Sequence, residues 1–167
     1  MKDVIDVKSM EFYCLGREDK YMLPWHEVDD ICIPLHMKDV HWVLCVVRLQ
    51  EWRIDVYDCQ PSVVRTKELA QLLEPLCELI PYVIDVFMTD EQKKKRYRCF
   101  SPKKMTHNRL PLDIVPECDF SGDCGVFTFM YIEYLTASLD LSNVVSKNIP
   151  FWRNKWAVRL FYSLLEP

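Results

Sequence analysis

Residues 40–58 read VHWVLCVVRLQEWRIDVYD, and this stretch decides the fold. The runs Val40–Leu49 and Arg53–Asp58 are rich in β-branched and aromatic residues, and only Gln50, Glu51 and Trp52 separate them. So short a separation predicts an antiparallel β-hairpin. In a hairpin the start of the first strand lies beside the end of the second. We therefore expect His41 and Asp58 to be neighbours in space although they are far apart in the chain.

The sequence around the hairpin mixes strand and helix signals. Further strands are predicted at Asp30–Pro34, Pro81–Met88 and Leu112–Val115. Helices are predicted at Thr66–Ile80, Cys124–Leu139 and Phe151–Leu165. Pro75 is expected to kink or divide the first helix, and Ser121-Gly122-Asp123 suits the start of the second. No repeat or low-complexity linker interrupts the pattern, which predicts one α+β domain over residues 1–167.

The composition excludes several classes of protein. A chain of 167 residues, half of them apolar, can bury one core. It has no apolar run of membrane-spanning length, and residues 1–10 lack the apolar run of a signal peptide. The net charge of −4 gives no general reason to expect a nucleic-acid partner. We expect a monomer without a membrane span, with most of its eight cysteines reduced.

Neither a metal nor another cofactor is expected. The cysteines form no C-x-x-C pair, and the four histidines lie in no spacing typical of zinc ligands.

The chemistry centres on Cys124. A thiol attacks as the thiolate, and a helix N-terminus favours that form through its aligned dipoles and free N–H groups. Gly125, which follows, lets the backbone approach a substrate closely. A thiolate needs a base, and the base needs a third group that fixes its tautomer. His41 and Asp58 fill these roles. The remaining cysteines in apolar runs are interpreted as packing residues, namely Cys45, Cys59 and Cys77.

Each of these residues has a structural alternative when taken alone. A strand histidine is usually structural, and Asp58 before Cys59-Gln60-Pro61 could be a turn residue. Cys124 could be a small apolar residue at a helix start. The combination of the three favours catalysis.

Four sequence blocks carry a family resemblance: Val28-Asp29-Asp30, His41-Trp42-Val43-Leu44, Ile54-Asp55-Val56-Tyr57-Asp58 and Asp123-Cys124-Gly125-Val126-Phe127. From about Trp25 to Trp156 the chain resembles the ubiquitin-like-protein proteases, the SUMO-deconjugating cysteine peptidases. More narrowly, it is similar to the type that transposons often carry in plant genomes. The resemblance implies a papain-like α+β fold in which a central mixed sheet is flanked by helices and the cysteine starts a buried helix.

The resemblance also implies an activity and a partner. The reaction would be hydrolysis at the Gly-Gly C-terminus of a SUMO-like modifier, which frees the modifier from lysine or trims its precursor. The partner would be that modifier or its conjugates. Trp42 matches the family tryptophan that walls the diglycine channel; a core aromatic residue is the alternative.

Two departures from the family qualify this expectation. Members usually carry an oxyanion-stabilising glutamine six residues before the cysteine, where this chain has Cys118. Loss of one such donor typically lowers turnover roughly 100- to 1,000-fold, so we expect slow activity. Nothing before Trp25 matches the family's N-terminal tryptophan motif, which predicts a truncated copy or a segment of a longer precursor. Trp25 itself is interpreted as a packing or surface residue.

The segment Lys93–Arg109 has eight Lys or Arg residues and no acidic residue. Its first interpretation is a solvated loop between strands. A nuclear-localisation signal, or a patch facing an acidic modifier or a nucleic acid, is the alternative. The expected location is the nucleus or the cytoplasm, with the nucleus favoured. Pairing of Cys118 with Cys124 on oxidation is a further hypothesis.

Three functions therefore compete. The first is an active, slow SUMO-type cysteine protease. The second is a pseudoprotease that keeps the fold and binds a ubiquitin-like modifier. The third is a nucleic-acid-associated product of a mobile element, against which the acidic net charge counts.

Overall fold

The structure, a computed structural model, describes residues 7–17, 22–97, 100, 102–120 and 122–163. Its helices are α1 (Val7–Leu15), α2 (Thr66–Phe87), α3 (Asp90–Arg96), α4 (Cys124–Thr136) and α5 (Ile149–Ser163), with 3-10 turns at Leu141–Asn143 and Ser146–Asn148. Its strands are β1 (Asp30–Met37), β2 (His41–Arg48), β3 (Arg53–Tyr57) and β4 (Thr106–Arg109). The strands form one sheet in the order β1-β2-β3-β4.

Contacts divide the chain into two compact units. The first unit contains Met1–Ile33, Val46–Asp55 and Thr66–Asn108, and the second contains Pro34–Cys45, Val56–Arg65 and Arg109–Pro167. All residues of the candidate site belong to the second unit. The single domain over residues 1–167 stays a prediction.

The sheet contains both strand directions. The β2–β3 hairpin has the predicted position. Beside β3, the Thr106 N–H donates to the Trp52 carbonyl, and the Leu110 N–H donates to the Val56 carbonyl. In both bonds the donor follows its acceptor by the same number of positions in the chain, so β4 runs parallel to β3. The sheet is therefore mixed, as predicted. Strand β1 lies at the sheet edge, where Pro34 removes no interior hydrogen bond, and it continues beyond the predicted end to Met37.

Helix α2 corrects two sequence predictions. It passes through Pro75 without dividing and continues through Pro81 to Phe87, where a strand was predicted. A proline in a helix frees the carbonyl four residues before it. For Pro81 that carbonyl belongs to Cys77, and it accepts from the Met105 N–H at 2.9 Å. The buried residues keep helical spacing past the second proline: Leu69, Leu73, Cys77, Ile80, Val83 and Ile84.

The basic segment is not a loop between strands. Residues 90–96 form α3, which begins at a capping box of Thr89 and Gln92, and residues 106–109 form β4. The Lys93 ammonium is buried and lies 3.0 Å from the Asp85 carboxylate. Arg96 forms an ion pair with Asp29. Arg98, Cys99 and Ser101 lie outside the described residues.

In the second unit, aromatic residues hold α4 and α5 together. Phe127 of α4 contacts Trp152 of α5 edge-on, with ring centroids 6.4 Å apart, and it contacts Tyr131 at 5.9 Å. The Tyr131 hydroxyl donates to the Pro116 carbonyl at 2.6 Å. Helices α4 and α5 were both predicted; Leu164 and Leu165 of the predicted last helix lie outside the described residues.

The strand predicted at Leu112–Val115 is wrong. These residues form a turn in which the N–H groups of Ile114 and Val115 both donate to the Pro111 carbonyl at 3.0 Å. Because these two N–H groups donate to the Pro111 carbonyl, they are not available to pair with a neighbouring strand. In the described part of the chain, no helix has the length and apolar character needed to cross a membrane.

Candidate active site

The β2–β3 hairpin brings His41 and Asp58 together. His41 opens β2, and Asp58 directly follows β3. The His41 Nε2 atom lies 2.7 Å from the Asp58 Oδ1 atom, and both side chains are fully buried. Because Nε2 is engaged by a carboxylate, the hydrogen of a neutral ring belongs on Nε2 and the lone pair on Nδ1. The hairpin therefore fixes one tautomer of the histidine.

The Asp58 carboxylate has three partners. Oδ1 accepts from His41 and also from the backbone N–H of Gln60 at 2.9 Å. Oδ2 lies 3.4 Å from the Nε atom of Arg109. The bond to Gln60 is the turn-forming bond that Asp makes to the backbone two residues on. Asp58 is thus both the turn residue and the histidine partner that the sequence left as alternatives.

Cys124 is the first residue of α4 and is nearly buried, with 5% of its surface exposed. The backbone N–H of Trp42 donates to the Cys124 Sγ atom at 3.5 Å. Asp123 precedes the helix, but its side chain makes no capping hydrogen bond and pairs instead with Arg153 at 2.6 Å. The N–H groups of the first turn have no acceptor within the helix, so they can receive a negative charge that develops beside the thiol.

A cleft of about 390 Å³ opens beside the thiol. Its lining includes Trp42, Gly122, Cys124, Gly125 and Arg153. The Trp42 ring stacks on the imidazole of His36, with centroids 4.3 Å apart and planes 12° from parallel. A Cβ atom at position 125 would lie 3.6 Å from the Trp42 ring. Gly125 therefore lies close to the Trp42 ring in the lining of the cleft.

Cys118 is buried and firmly held. Its N–H donates to the Cys59 carbonyl at 3.0 Å, and its thiol donates to the Phe120 carbonyl at 3.0 Å. The Gln60 side-chain amide donates to the Cys118 carbonyl at 3.2 Å. Burial raises the pKa of the Cys118 thiol and also that of Cys59. Position 118 therefore offers a neutral thiol that already has an acceptor.

Three contributors to the site were missed by the sequence analysis: Gln60, Arg109 and Arg153. The two-residue spacing from Asp58 to Gln60 is a turn signal that could have predicted the backbone bond. Arg109 was assigned to the basic loop, and no local signal assigns it to Asp58. The pairing of Arg153 with Asp123 joins residues 30 positions apart, and no periodic pattern indicates it.

The described cysteines and histidines form neither a metal site nor a disulfide. Among the described residues, no group of three or more His, Cys, Asp or Glu side chains could hold a metal ion. The seven described cysteines are free thiols, Cys118 and Cys124 among them. Cys59 and Cys77 are buried with raised thiol pKa values, because burial disfavours the thiolate. Cys45 is fully buried, so all three are packing residues, as predicted.

Comparison of sequences finds similar proteins among the sentrin-specific proteases. Sentrin-specific protease 2 of Homo sapiens is 24% identical over 139 residues, which cover 83% of this chain and 21% of the human protein. The Mus musculus protein has the same identity and the same coverage. The chain therefore spans about a fifth of the length of these relatives.

Two solved structures have a similar fold. The Ulp1-like SUMO protease catalytic domain of Chaetomium thermophilum has a TM-score of 0.52 and 20% identity, covering 78% of this chain and 45% of that one. The yeast Ulp1 protease domain in complex with SMT3, the yeast ortholog of SUMO, has a TM-score of 0.53 and 18% identity, covering 90% and 58%. They confirm the predicted SUMO-protease-like α+β fold. The sequence model of the family described as "Ulp1 protease family, C-terminal catalytic domain" matches residues 16–166, and the chain belongs to that family.

Proposed function

We propose that this chain is a cysteine peptidase that cleaves after the Gly-Gly C-terminus of a SUMO-like modifier. The observation that carries the proposal is that two successive residues of strand β2 contact Asp58 and Cys124. His41 bonds the buried Asp58 at 2.7 Å, and the adjacent Trp42 contacts the Cys124 thiol through its backbone N–H at 3.5 Å. The pairing of His41 with Asp58 and the contact of the next residue with Cys124 support a base, an orienting carboxylate and a thiol at one end of the hairpin.

The reaction follows from these positions. The Cys124 thiolate attacks the carbonyl carbon of the terminal glycine, and the C–N bond to the leaving amine breaks while protonated His41 gives that amine its proton. The product is a thioester of the modifier. A water molecule then gives a proton to His41 and attacks the thioester, which releases the modifier carboxylate and regenerates the thiol.

The cleft supports a diglycine substrate. Trp42 and Gly125 both line the cleft, and the missing side chain at position 125 leaves the backbone at the start of α4 open to the cleft. A substrate chain of glycines can approach that backbone closely. Family membership and the binding of SMT3 by the yeast structure point to the same class of substrate.

The site has few hydrogen-bond donors for the oxyanion that forms when the thiolate attacks. The free N–H groups at the start of α4 supply one source of donors. The Cys118 thiol is a weak donor, and it already bonds the Phe120 carbonyl. Since one lost donor typically lowers turnover roughly 100- to 1,000-fold, we expect slow hydrolysis.

The same observation favours the second candidate, a modifier-binding pseudoprotease. Burial of Cys124 and the substitution at position 118 both work against turnover while leaving the cleft intact.

For the third candidate, a nucleic-acid-associated protein, the basic segment offers fewer cations than its sequence indicates. Lys93 and Arg96 are engaged by Asp85 and Asp29.

A SUMO C-terminal electrophilic probe separates the candidates. A protease forms a covalent adduct that is absent in Cys124→Ala. A pseudoprotease binds the modifier but forms no adduct. Binding of DNA without either result would favour the third candidate. Location, monomeric state, mobile-element origin and truncation stay predictions.

A further inference from the structure

Asp58 presents a physical problem that His41 alone does not resolve. Its carboxylate is fully buried, and an ionised carboxylate without compensation is costly away from water. Oδ1 accepts two hydrogen bonds, from His41 and from the Gln60 N–H. Oδ2 is buried and accepts no hydrogen bond from the described residues. The second oxygen therefore needs another source of stabilisation.

Arg109 supplies a positive charge at that oxygen. Its Nε atom lies 3.4 Å from Asp58 Oδ2, beyond an ordinary hydrogen bond but within ion-pair distance. The Arg109 side chain is 14% exposed, so water screens this attraction little. Arg109 ends β4, and the parallel pairing of β4 with β3 brings it to the Asp58 end of the hairpin.

The guanidinium is held in place by two backbone carbonyls. Nη1 donates to Pro61 at 3.1 Å, and Nη2 donates to Val64 at 2.7 Å. Both carbonyls belong to the segment that directly follows Asp58, so the two outer nitrogens hold this segment while the Nε atom lies 3.4 Å from the carboxylate without a hydrogen bond. A planar cation that donates to two carbonyls in fixed directions is a property of arginine that lysine does not share.

We propose that Arg109 is a positioning residue of the catalytic triad. Its charge and its hydrogen bonds to the following segment hold the Asp58 carboxylate against His41, and that carboxylate keeps the hydrogen of neutral His41 on Nε2. Nδ1 then remains available to take a proton from the Cys124 thiol. This inference rests on the proposed function, because orientation of His41 matters only if His41 acts as a base.

Two substitutions separate the charge of Arg109 from its hydrogen bonds to the Pro61 and Val64 carbonyls. Arg109→Gln removes the charge and keeps an amide donor for the carbonyls. Arg109→Lys keeps the charge and loses the planar arrangement. A purely structural role predicts similar damage from both, whereas the positioning role ranks Lys above Gln. Lys147→Gln is the matched control, since Lys147 is exposed in the same unit.

The first measurement is hydrolysis of a fluorogenic SUMO C-terminal substrate. We expect Arg109→Gln to lower kcat about 10- to 100-fold, by analogy with the loss of an outer partner that orients a metal-bound histidine, with little change in KM. Arg109→Lys should fall between Arg109→Gln and the wild type, and Lys147→Gln should match the wild type. Equal kcat values for Arg109→Gln and the wild type would overturn the inference.

The second measurement does not depend on activity. In proton NMR of the full chain, the His41 Nε2 hydrogen bonded to Asp58 should give a protected downfield resonance in the wild type and in Lys147→Gln. It should be lost in folded Arg109→Gln. Persistence of the resonance there would overturn the inference. If the wild type cleaves nothing, the proposed function fails, yet this resonance still decides the role of Arg109. If Arg109→Gln does not fold, the resonance in Arg109→Lys decides: retention supports the inference, and loss in a folded protein overturns it.

Discussion

The backbone N–H of Trp42 donates to the Cys124 thiol across 3.5 Å, so strand β2 carries both His41 and a contact to Cys124. Successive side chains of a strand point to opposite faces. His41 is accordingly buried against Asp58, while Trp42 is 37% exposed and lines the cleft. The alternation of β2 thus separates the buried His41–Asp58 pair from the cleft that Trp42 lines.

Asp58→Asn should lower kcat about 10,000-fold, because an amide can present its N–H to His41 and favour the wrong tautomer. The check is steady-state hydrolysis of a SUMO C-terminal substrate together with thermal unfolding. Asp113→Asn is the control, since Asp113 is an exposed carboxylate in the same unit. A folded Asp58→Asn protein with turnover near that of the wild type would remove Asp58 from the triad.

The hairpin could be predicted because its information is local. Two β-rich runs and a three-residue connection suffice to join His41 and Asp58, and the small and acidic residues before Cys124 mark the start of α4. Strand β4 could not be predicted, because its sequence THNR lacks an apolar alternation. Its partner β3 lies about 50 positions earlier in the chain. The role of Arg109 depends on that pairing, so it was beyond reach as well.

Helix α2 shows the same limit. Pro81 breaks a helix by local rules, yet here the carbonyl that it frees accepts a hydrogen bond from Met105. A partner 28 positions from Cys77 thus offsets the local penalty. The apolar residues beyond Pro81 keep the helical period and carry the correct signal.

Gly125 can be tested as a residue that keeps the cleft open. Gly125→Ala should stabilise the fold by about 0.4–1 kcal/mol, because alanine in a helix loses less backbone entropy than glycine. Its Cβ would meet the Trp42 ring at an ordinary contact distance, so the activity should change little. Gly125→Val should lower kcat/KM about tenfold or more. Its two methyl groups extend from a Cβ that already contacts the Trp42 ring, and such overpacking typically costs about 1–3 kcal/mol. Thermal unfolding and substrate kinetics measure the two effects, and an unimpaired Gly125→Val enzyme would contradict the assignment.

Asp55, in the first unit, predicts a loss of stability in acid. Burial alone would raise the pKa of Asp55, but hydrogen bonds and charges from Arg53 and Arg48 outweigh it and lower that pKa. A folded-state pKa below the unfolded value of about 3.9 means that the unfolded chain binds more protons. The stabilisation is complete above that unfolded value and is lost as the pH falls through the folded value.

Urea unfolding of the wild type and Asp55→Asn across this pH range tests the claim. At neutral pH the wild type should be the more stable, and the difference should shrink as the pH approaches 3. Lys104→Gln is a comparison in the same unit that removes an exposed ion pair with Glu74; because water screens that pair, its loss should change stability little at any pH in the series. A difference between the wild type and Asp55→Asn that is constant with pH would refute the linkage.

Cys118→Gln addresses the oxyanion directly. A glutamine amide donates far better than a thiol, so kcat should rise roughly 100- to 1,000-fold if position 118 faces the developing charge, with little change in KM. Cys118→Ala is the control: it removes the thiol that bonds the Phe120 carbonyl, and its turnover should stay close to that of the wild type. Because residue 118 is nearly buried, thermal unfolding must accompany the kinetics. A folded Cys118→Gln enzyme no faster than the wild type would show that the slow step lies elsewhere, and burial of the Cys124 thiol would then be the next feature to change.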